Sequence, residues 1–317
     1  MKLSPKALGL GAALVTVLIW SSFIVVARAS ASHNLLPLDI GFLRIVGAGC
    51  VLLPWGWWLM RTQRQQGNTS DAPIGSLMGL SPLPLRITAL AGVFGSMLYA
   101  IFAYSGFFFA PAAHASVLMP GSLPLWTSLL ALVLLHDPIT RTRAIGLACI
   151  VLGDILVGGT SLLKAFDGGE VWRGDVLFMC ASFCWACYSV LVRRHALDPV
   201  RATIAITAFS CVTFVPLYAL AAYASWVPTH LGTAPVSEML FQAIYQGVGS
   251  VVISGITFNI MIRHYGPVRS TMITALVPGL SAFGAVVFLN EPMSLNLMAG
   301  LALVTCGILF GVRLPKP

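Results

Sequence analysis

Apolar runs long enough to cross a bilayer follow one another almost from end to end of this chain, and no other feature narrows its fold so far. Between polar or turn-rich breaks they cover residues 8–28, 38–60, 86–108, 112–134, 144–163, 174–193, 202–224, 239–262, 267–289 and 295–313. A spanning helix needs about 20 apolar residues to cross ~30 Å of hydrocarbon, so ten helices are expected and little is left for a soluble domain. Charged residues make up 9% of the chain and hydrophobic ones 58%, where a soluble chain is about one quarter charged. The runs are continuous and rich in Leu and Ala, unlike the alternating segments of about ten residues in a membrane barrel. The expected fold class is all-α integral membrane. The first run follows Lys2 and Lys6 and ends near Ala27-Arg28-Ala29, which resembles a cleavable leader. Its length, and the match of its Trp20-Ser21-Ser22 to Trp185-Ala186-Cys187, place it in the folded body instead.

The net charge of +8 does not point to nucleic acid, because of where it falls. Numbering the loops alternately from a cytoplasmic N-terminus puts fourteen basic residues inside: Lys2, Lys6, Arg61, Arg64, Arg86, Arg141, Arg143, Arg193, Arg194, Arg201, Arg263, Arg269, Arg313 and Lys316. Arg28, Lys164 and Arg173 fall outside and Arg44 is buried. That asymmetry is the positive-inside pattern of a multi-pass protein with both termini cytoplasmic. All seven cysteines lie within apolar runs, so no loop disulfide framework is expected. Cys180, Cys184 and Cys187 share a helix face without His or a carboxylate beside them; packing is expected there, with no metal and no cofactor.

The chain repeats itself. Sliding it by 154 positions sets Pro124 on Pro278, Pro138 on Pro292, Gly146 on Gly300, Gly153 on Gly307 and Gly95-Ser96 on Gly249-Ser250. Nearer the start an offset of 165 sets Gly9 on Gly174, Trp20 on Trp185 and Arg28 on Arg193. Two five-helix domains are expected, 1–163 and 164–317, and because five is odd the second enters the membrane from the opposite side. His136-Asp137-Pro138 then turns a hairpin at the inner face and Asn290-Glu291-Pro292 at the outer one. Arg141 and Arg143 accordingly follow only the first. Each acid is expected to cap the helix that follows it.

Trp20-Ser21-Ser22, Pro37-Leu38 followed by Arg44, and the proline-centred fourth and ninth helices running into Asp137-Pro138 and Glu291-Pro292 together resemble the EamA-type ten-helix members of the drug/metabolite transporter superfamily. His136-Asp137 stands where that family usually has Gly-Glu. Within it the chain looks most like the YddG-type amino acid exporters. The resemblance implies two inverted repeats around a central cavity and export of aromatic and other neutral amino acids across a bacterial inner membrane. The expected partners are a small-molecule substrate and the lipid bilayer; a monomer is the favoured state, and the sequence leaves the oligomeric state open.

In inverted-repeat transporters substrate binds near the midplane, so mid-depth side chains unlike lipid are the candidates. Trp20, Trp126 and Trp185 lie near the centres of their runs, away from the interfacial belt where tryptophan usually sits. Tyr99 and Tyr188 join them, as do Tyr104 and Tyr245. Gln246, Ser250 and Ser254 recur every fourth residue, with Asn259 further on, while Ser96 matches Ser250 and Ser22 follows the first tryptophan. Such a stripe fits a wet path. Pro120, Pro124 and Pro278 are expected to break backbone hydrogen bonds and serve as hinges.

Two ionisable residues sit deepest. At 1.5 Å per residue Arg44 is about 12 Å from the outer edge and Asp154 about 18 Å from the inner edge of a ~30 Å core. Their like depth leads to the expectation of a buried ion pair. The rival role for Asp154 is proton carriage. Sugar-phosphate exchange would need more buried cations to match phosphate, and the scattered acids and histidines assemble no catalytic group for an intramembrane enzyme. A receptor would need a soluble domain. Export of other small metabolites or quaternary ammonium drugs is the alternative to amino acid export.

Overall fold

The computed structural model describes residues 5–65, 75–274 and 276–312, which leaves Lys2, Arg313, Lys316 and the outermost residues of both expected domains outside the described residues. Among the described residues, nine helical segments are long and apolar enough to cross a bilayer: Ala7–Ser30, Pro37–Thr62, Leu85–Phe109, Ala112–Leu135, Arg141–Ala165, Val171–Arg194, Pro199–Tyr223, Val236–Tyr265 and Pro267–Leu289. A shorter apolar helix, Leu295–Phe310, follows. These are the first to tenth spans, and together they make an all-helical, ten-helix membrane architecture. Several start about one turn ahead of their apolar run, because polar residues such as Arg143, Arg173 and Arg201 fill the first turn, where backbone N–H groups have no intrahelical partner.

The two hairpins flagged by the repeat close alike. His136 and Asn290 both adopt left-handed backbone, at φ 57° and 53°. One residue on, Asp137 N donates to Ala131 O and Glu291 N to Ala285 O, each at 3.2 Å. The caps differ from expectation. Thr140 accepts from Arg143 N at 3.3 Å and Ser294 from Leu297 N at 3.2 Å, so hydroxyls next to the helix start take that role. The acids lie three residues too early for it. Asp137 instead stands 3.4 Å from Arg143 Nη1, and Glu291 reaches a different helix, described below.

Glycines of the repeat bring the fifth and tenth spans into backbone contact. A Cβ on Gly153 would fall 2.6 Å from Val304 Cγ2 and 2.7 Å from Gly300 O, and one on Gly300 would fall 2.6 Å from Val157 Cγ2. Membrane helices lack a hydrophobic driving force for association and depend on such close packing. The second and eighth spans approach likewise at Gly247, where a Cβ would meet Ala48 N at 2.7 Å.

Several spans depart from regular α-helix at mid-course. π-helical turns cover Val93–Leu98 in the third span, Val117–Gly121 in the fourth and Ala243–Ile253 in the eighth. Such turns are rare and often mark functional positions. Pro120 lies inside one of them. Pro124 and Pro278 stand in the first turns of the helices Leu123–Leu135 and Leu276–Leu289. There a missing N–H breaks no bond, so the helices restart at these prolines and the expected loss of an internal bond does not occur.

Candidate substrate chamber

The first and sixth spans bring Trp20 and Trp185 together edge to face, with ring centroids 5.8 Å apart. Phe258 of the eighth span packs on both, at 4.7 and 5.7 Å, and Tyr99 and Tyr188 approach Trp185 at 4.9 and 5.3 Å. Between the rings lies a cavity of about 30 Å³, lined among others by Trp20, Phe23, Tyr99, Pro120 and Trp185. That is space for about two waters. The chamber expected to be watery is therefore nearly filled by its own aromatic walls in this form.

A polar network runs along one side of the rings. Trp20 Nε1 donates to Ser254 Oγ at 3.3 Å, and Ser254 Oγ donates to Ser250 O at 2.6 Å. Arg44 Nη1 donates to Ser250 Oγ at 2.9 Å and to the Tyr104 hydroxyl at 3.2 Å. The Tyr104 hydroxyl in turn donates to Gln246 Oε1 at 3.0 Å. The guanidinium carbon sits 5.7, 5.8 and 6.0 Å from the rings of Phe23, Tyr99 and Tyr104. Asn259, further along, belongs to a second group: its Nδ2 donates to the Tyr188 hydroxyl at 2.7 Å and to Thr203 Oγ1 at 3.2 Å.

Not every candidate joins this centre. Ser22 is exposed on the far side of the first span, donating to Leu18 O at 2.9 Å and accepting from Tyr245 at 2.7 Å. Ser96 is buried in the third span's π-helical turn, and no hydrogen bond among the described residues joins it to the network. Trp126 packs on Phe183 at 5.4 Å and lines a separate cavity of about 830 Å³ with Asp154, Asp175, Cys180 and Cys184.

The expected ion pair does not form. Arg44 meets only hydroxyls and rings, whereas neither carboxylate oxygen of Asp154 has a hydrogen-bond partner among the described residues. Like expected depth did not bring the two side chains to face one another. The second span packs Arg44 toward the third and eighth spans, while Asp154 on the fifth faces the cavity between the third, fourth, fifth and sixth.

Phe23 and Phe258 were missed as members of the site, since a phenylalanine carries no polar group to set it apart from a lipid-facing one. Among the described residues no three His, Cys, Asp or Glu stand close enough to hold a metal ion.

Two buried acids, Asp39 and Asp175, and the half-buried Glu291 fasten the frame around the chamber. Asp39 accepts from Leu36 N at 2.9 Å, Thr229 Oγ1 at 2.7 Å, His230 N at 3.0 Å and the Tyr218 hydroxyl. Asp175 joins His114 Nδ1, at 2.9 Å, to Ser161. Glu291 accepts from Ala112 N at 3.0 Å, Ala113 N at 3.1 Å and Arg28 Nε at 3.3 Å. Arg28 also donates to Phe107 O at 2.6 Å. This cluster ties together the ends of the first, third, fourth and ninth spans.

Known proteins share this architecture. A transporter of Bacillus subtilis (strain 168), described as the uncharacterized transporter YyaM, is 24% identical over 250 residues, covering 75% of this chain and 79% of its own. An uncharacterized transporter of Archaeoglobus fulgidus is 24% identical over 282 residues, covering 87% of this chain and 88% of its own. A crystal structure of a protein aligns over 97% of this chain and 98% of its own, with TM-score 0.61 and 21% identity, a likeness that shows the fold alone. The model of the EamA-like transporter family matches residues 7–159 and again 172–313. The two matches take in nearly every span, and the chain belongs to the EamA-like transporter family.

Proposed function

We propose that this protein exports aromatic and other neutral amino acids by alternating access, as a single chain in a bacterial inner membrane with both termini cytoplasmic. The observation that carries the reading is the meeting of Trp20 and Trp185, equivalent positions of the two repeats, at a small cavity in the middle of the helix bundle. Aromatic walls suit a flat or apolar side chain, and the adjoining hydroxyl and amide network suits the polar end of an amino acid. Transport involves no chemical conversion. Its turns of irregular helix and the restarts at Pro124 and Pro278 are the places where the halves flex about the cavity, with Pro120 beside it.

The test is counterflow of labelled phenylalanine, leucine and alanine in liposomes, with Trp185→Ala and Gln246→Ala as variants. Both variants should lower uptake at least tenfold while remaining folded. Unchanged uptake in both puts the pathway elsewhere. A second reading, export of lipophilic quaternary ammonium compounds, draws on the partnerless Asp154 carboxylate in its apolar cavity. Under that reading such compounds, and no amino acid, exchange, and Asp154→Asn abolishes it.

A further inference from the structure

The guanidinium of Arg44 is a permanent cation, and the residue is 4% exposed. Among the described residues no carboxylate lies within ion-pair distance of it. Its partners, the Tyr104 hydroxyl and Ser250 Oγ, are neutral. The three surrounding rings ease the charge through their electron-rich faces without cancelling it. A buried cation lacking an anion is a costly arrangement, and here it adjoins the chamber: Phe23 and Tyr99, two of the rings beside the guanidinium, also line the central cavity.

Following the protons around Arg44 shows what is missing. Arg44 can only donate, so the Tyr104 oxygen accepts from it and the Tyr104 proton goes to Gln246 Oε1. The Gln246 amide is thereby oriented, and its Nε2 is left buried with no acceptor. Trp185 Nε1, across the ring cluster, is likewise buried without one. The remaining guanidinium N–H groups of Arg44 find no acceptor among the described residues either. The unsatisfied groups of Arg44, Gln246 and Trp185 are all donors. Of the partnerless acceptors of the eighth span, Gln242 Oε1 stands one helical turn from Gln246, and Asn259 Oδ1 belongs to the group around Tyr188.

We infer that Arg44 and Gln246 form the docking point for a carboxylate, so that the transported molecule must carry an anionic group beside its apolar body. The inference rests on the amino acid reading and sharpens it: the acid group, and not the ammonium, is what the protein selects. A planar carboxylate matches the fork of a guanidinium, which a lysine ammonium does not reproduce. It also disfavours quaternary ammonium compounds at this site, since they would approach a cation of the same sign. Because the cavity holds about two waters, the rings of Tyr99 and Phe23 part as the ligand enters.

Calorimetric titration of the unmodified protein in nanodiscs tests this without any variant. The probes are L-phenylalanine, L-phenylalaninamide, which lacks the carboxylate, and phenylacetate, which lacks the ammonium. Phenylalanine should bind about tenfold or more tightly than its amide, as loss of a charged hydrogen bond implies, and phenylacetate should bind measurably. Equal affinity for acid and amide overturns the docking point while leaving amino acid transport standing. Binding of phenylacetate without any of phenylalanine retains the anion site and removes the amino acid reading. No binding by either acid overturns both. Gln246→Leu, which leaves Arg44 in place, should narrow the acid-to-amide ratio several-fold; a merely structural role would weaken both ligands alike and also overturns the assignment. Arg44→Lys should bind the acids about tenfold more weakly.

Discussion

Glu291 begins one hairpin arm yet serves another helix: its carboxylate accepts from Ala112 N and Ala113 N at 3.0 and 3.1 Å while Arg28 Nε stands 3.3 Å away. One acid thus caps the fourth span and holds the first to the ninth. Glu291→Ala should lower stability by about 1–3 kcal/mol, the sum expected for a lost cap and a partly buried ion pair. Glu291→Gln, which keeps one acceptor oxygen, should lose less. Thermal unfolding of the purified protein in detergent separates the two.

Asp154 gives the opposite expectation. With no partner for either carboxyl oxygen among the described residues, replacing it by Asn removes an unsatisfied buried acid without breaking a hydrogen bond. Asp154→Asn should therefore unfold at the same temperature as the parent or above it. Loss of folded protein on size-exclusion chromatography would show a partner that the structure does not.

At the glycine contact of the fifth and tenth spans there is no room for a larger residue. Gly153→Val would drive its side chain into Val304 and the Gly300 carbonyl, at 2.6 and 2.7 Å from the Cβ alone. Overpacking of this kind destabilises by about 1–3 kcal/mol, occasionally more. A lower unfolding temperature and a smaller yield of monodisperse protein are expected. By contrast Gly279→Ala, where a Cβ meets nothing within 4 Å, should be silent.

Ten spans return the chain to the face from which it started. Reporter fusions to the N- and C-terminus should therefore give the same signal, that of the cytoplasm, as the clustering of arginines at alternate span ends implies. Signals of opposite kind at the two ends would remove one span from the count.

Much of this was open to a reader of the sequence. Run lengths located the spans, and of the residues that marked the repeat Gly153, Gly300 and Gly307 proved to be contact points and Pro124 and Pro278 helix restarts. Thr140 and Ser294 could have been read as caps from their place just ahead of each helix. The π-helical turns left no comparable sign, because neither composition nor periodicity distinguishes them from ordinary helix. Trp20, Trp185, Gln246, Ser250 and Ser254 were found by being polar or indole-bearing along the middle of their runs; Trp20 meets Trp185 and Ser254, while Gln246 joins Ser250 only through Tyr104 and Arg44. Ser22 and Trp126 passed the same test and face elsewhere.

What the sequence alone determined is depth: at a fixed rise per residue, position along a helix says how far into the membrane a side chain lies. On that count alone Arg44 and Asp154 were expected at one level. Which way each points around its helix axis depends on how neighbouring helices pack, through contacts between residues far apart in the chain. Only the tertiary structure therefore turned Arg44 toward the aromatic cluster and Asp154 toward a different cavity, and so left a buried cation beside the chamber with no acid paired to it among the described residues.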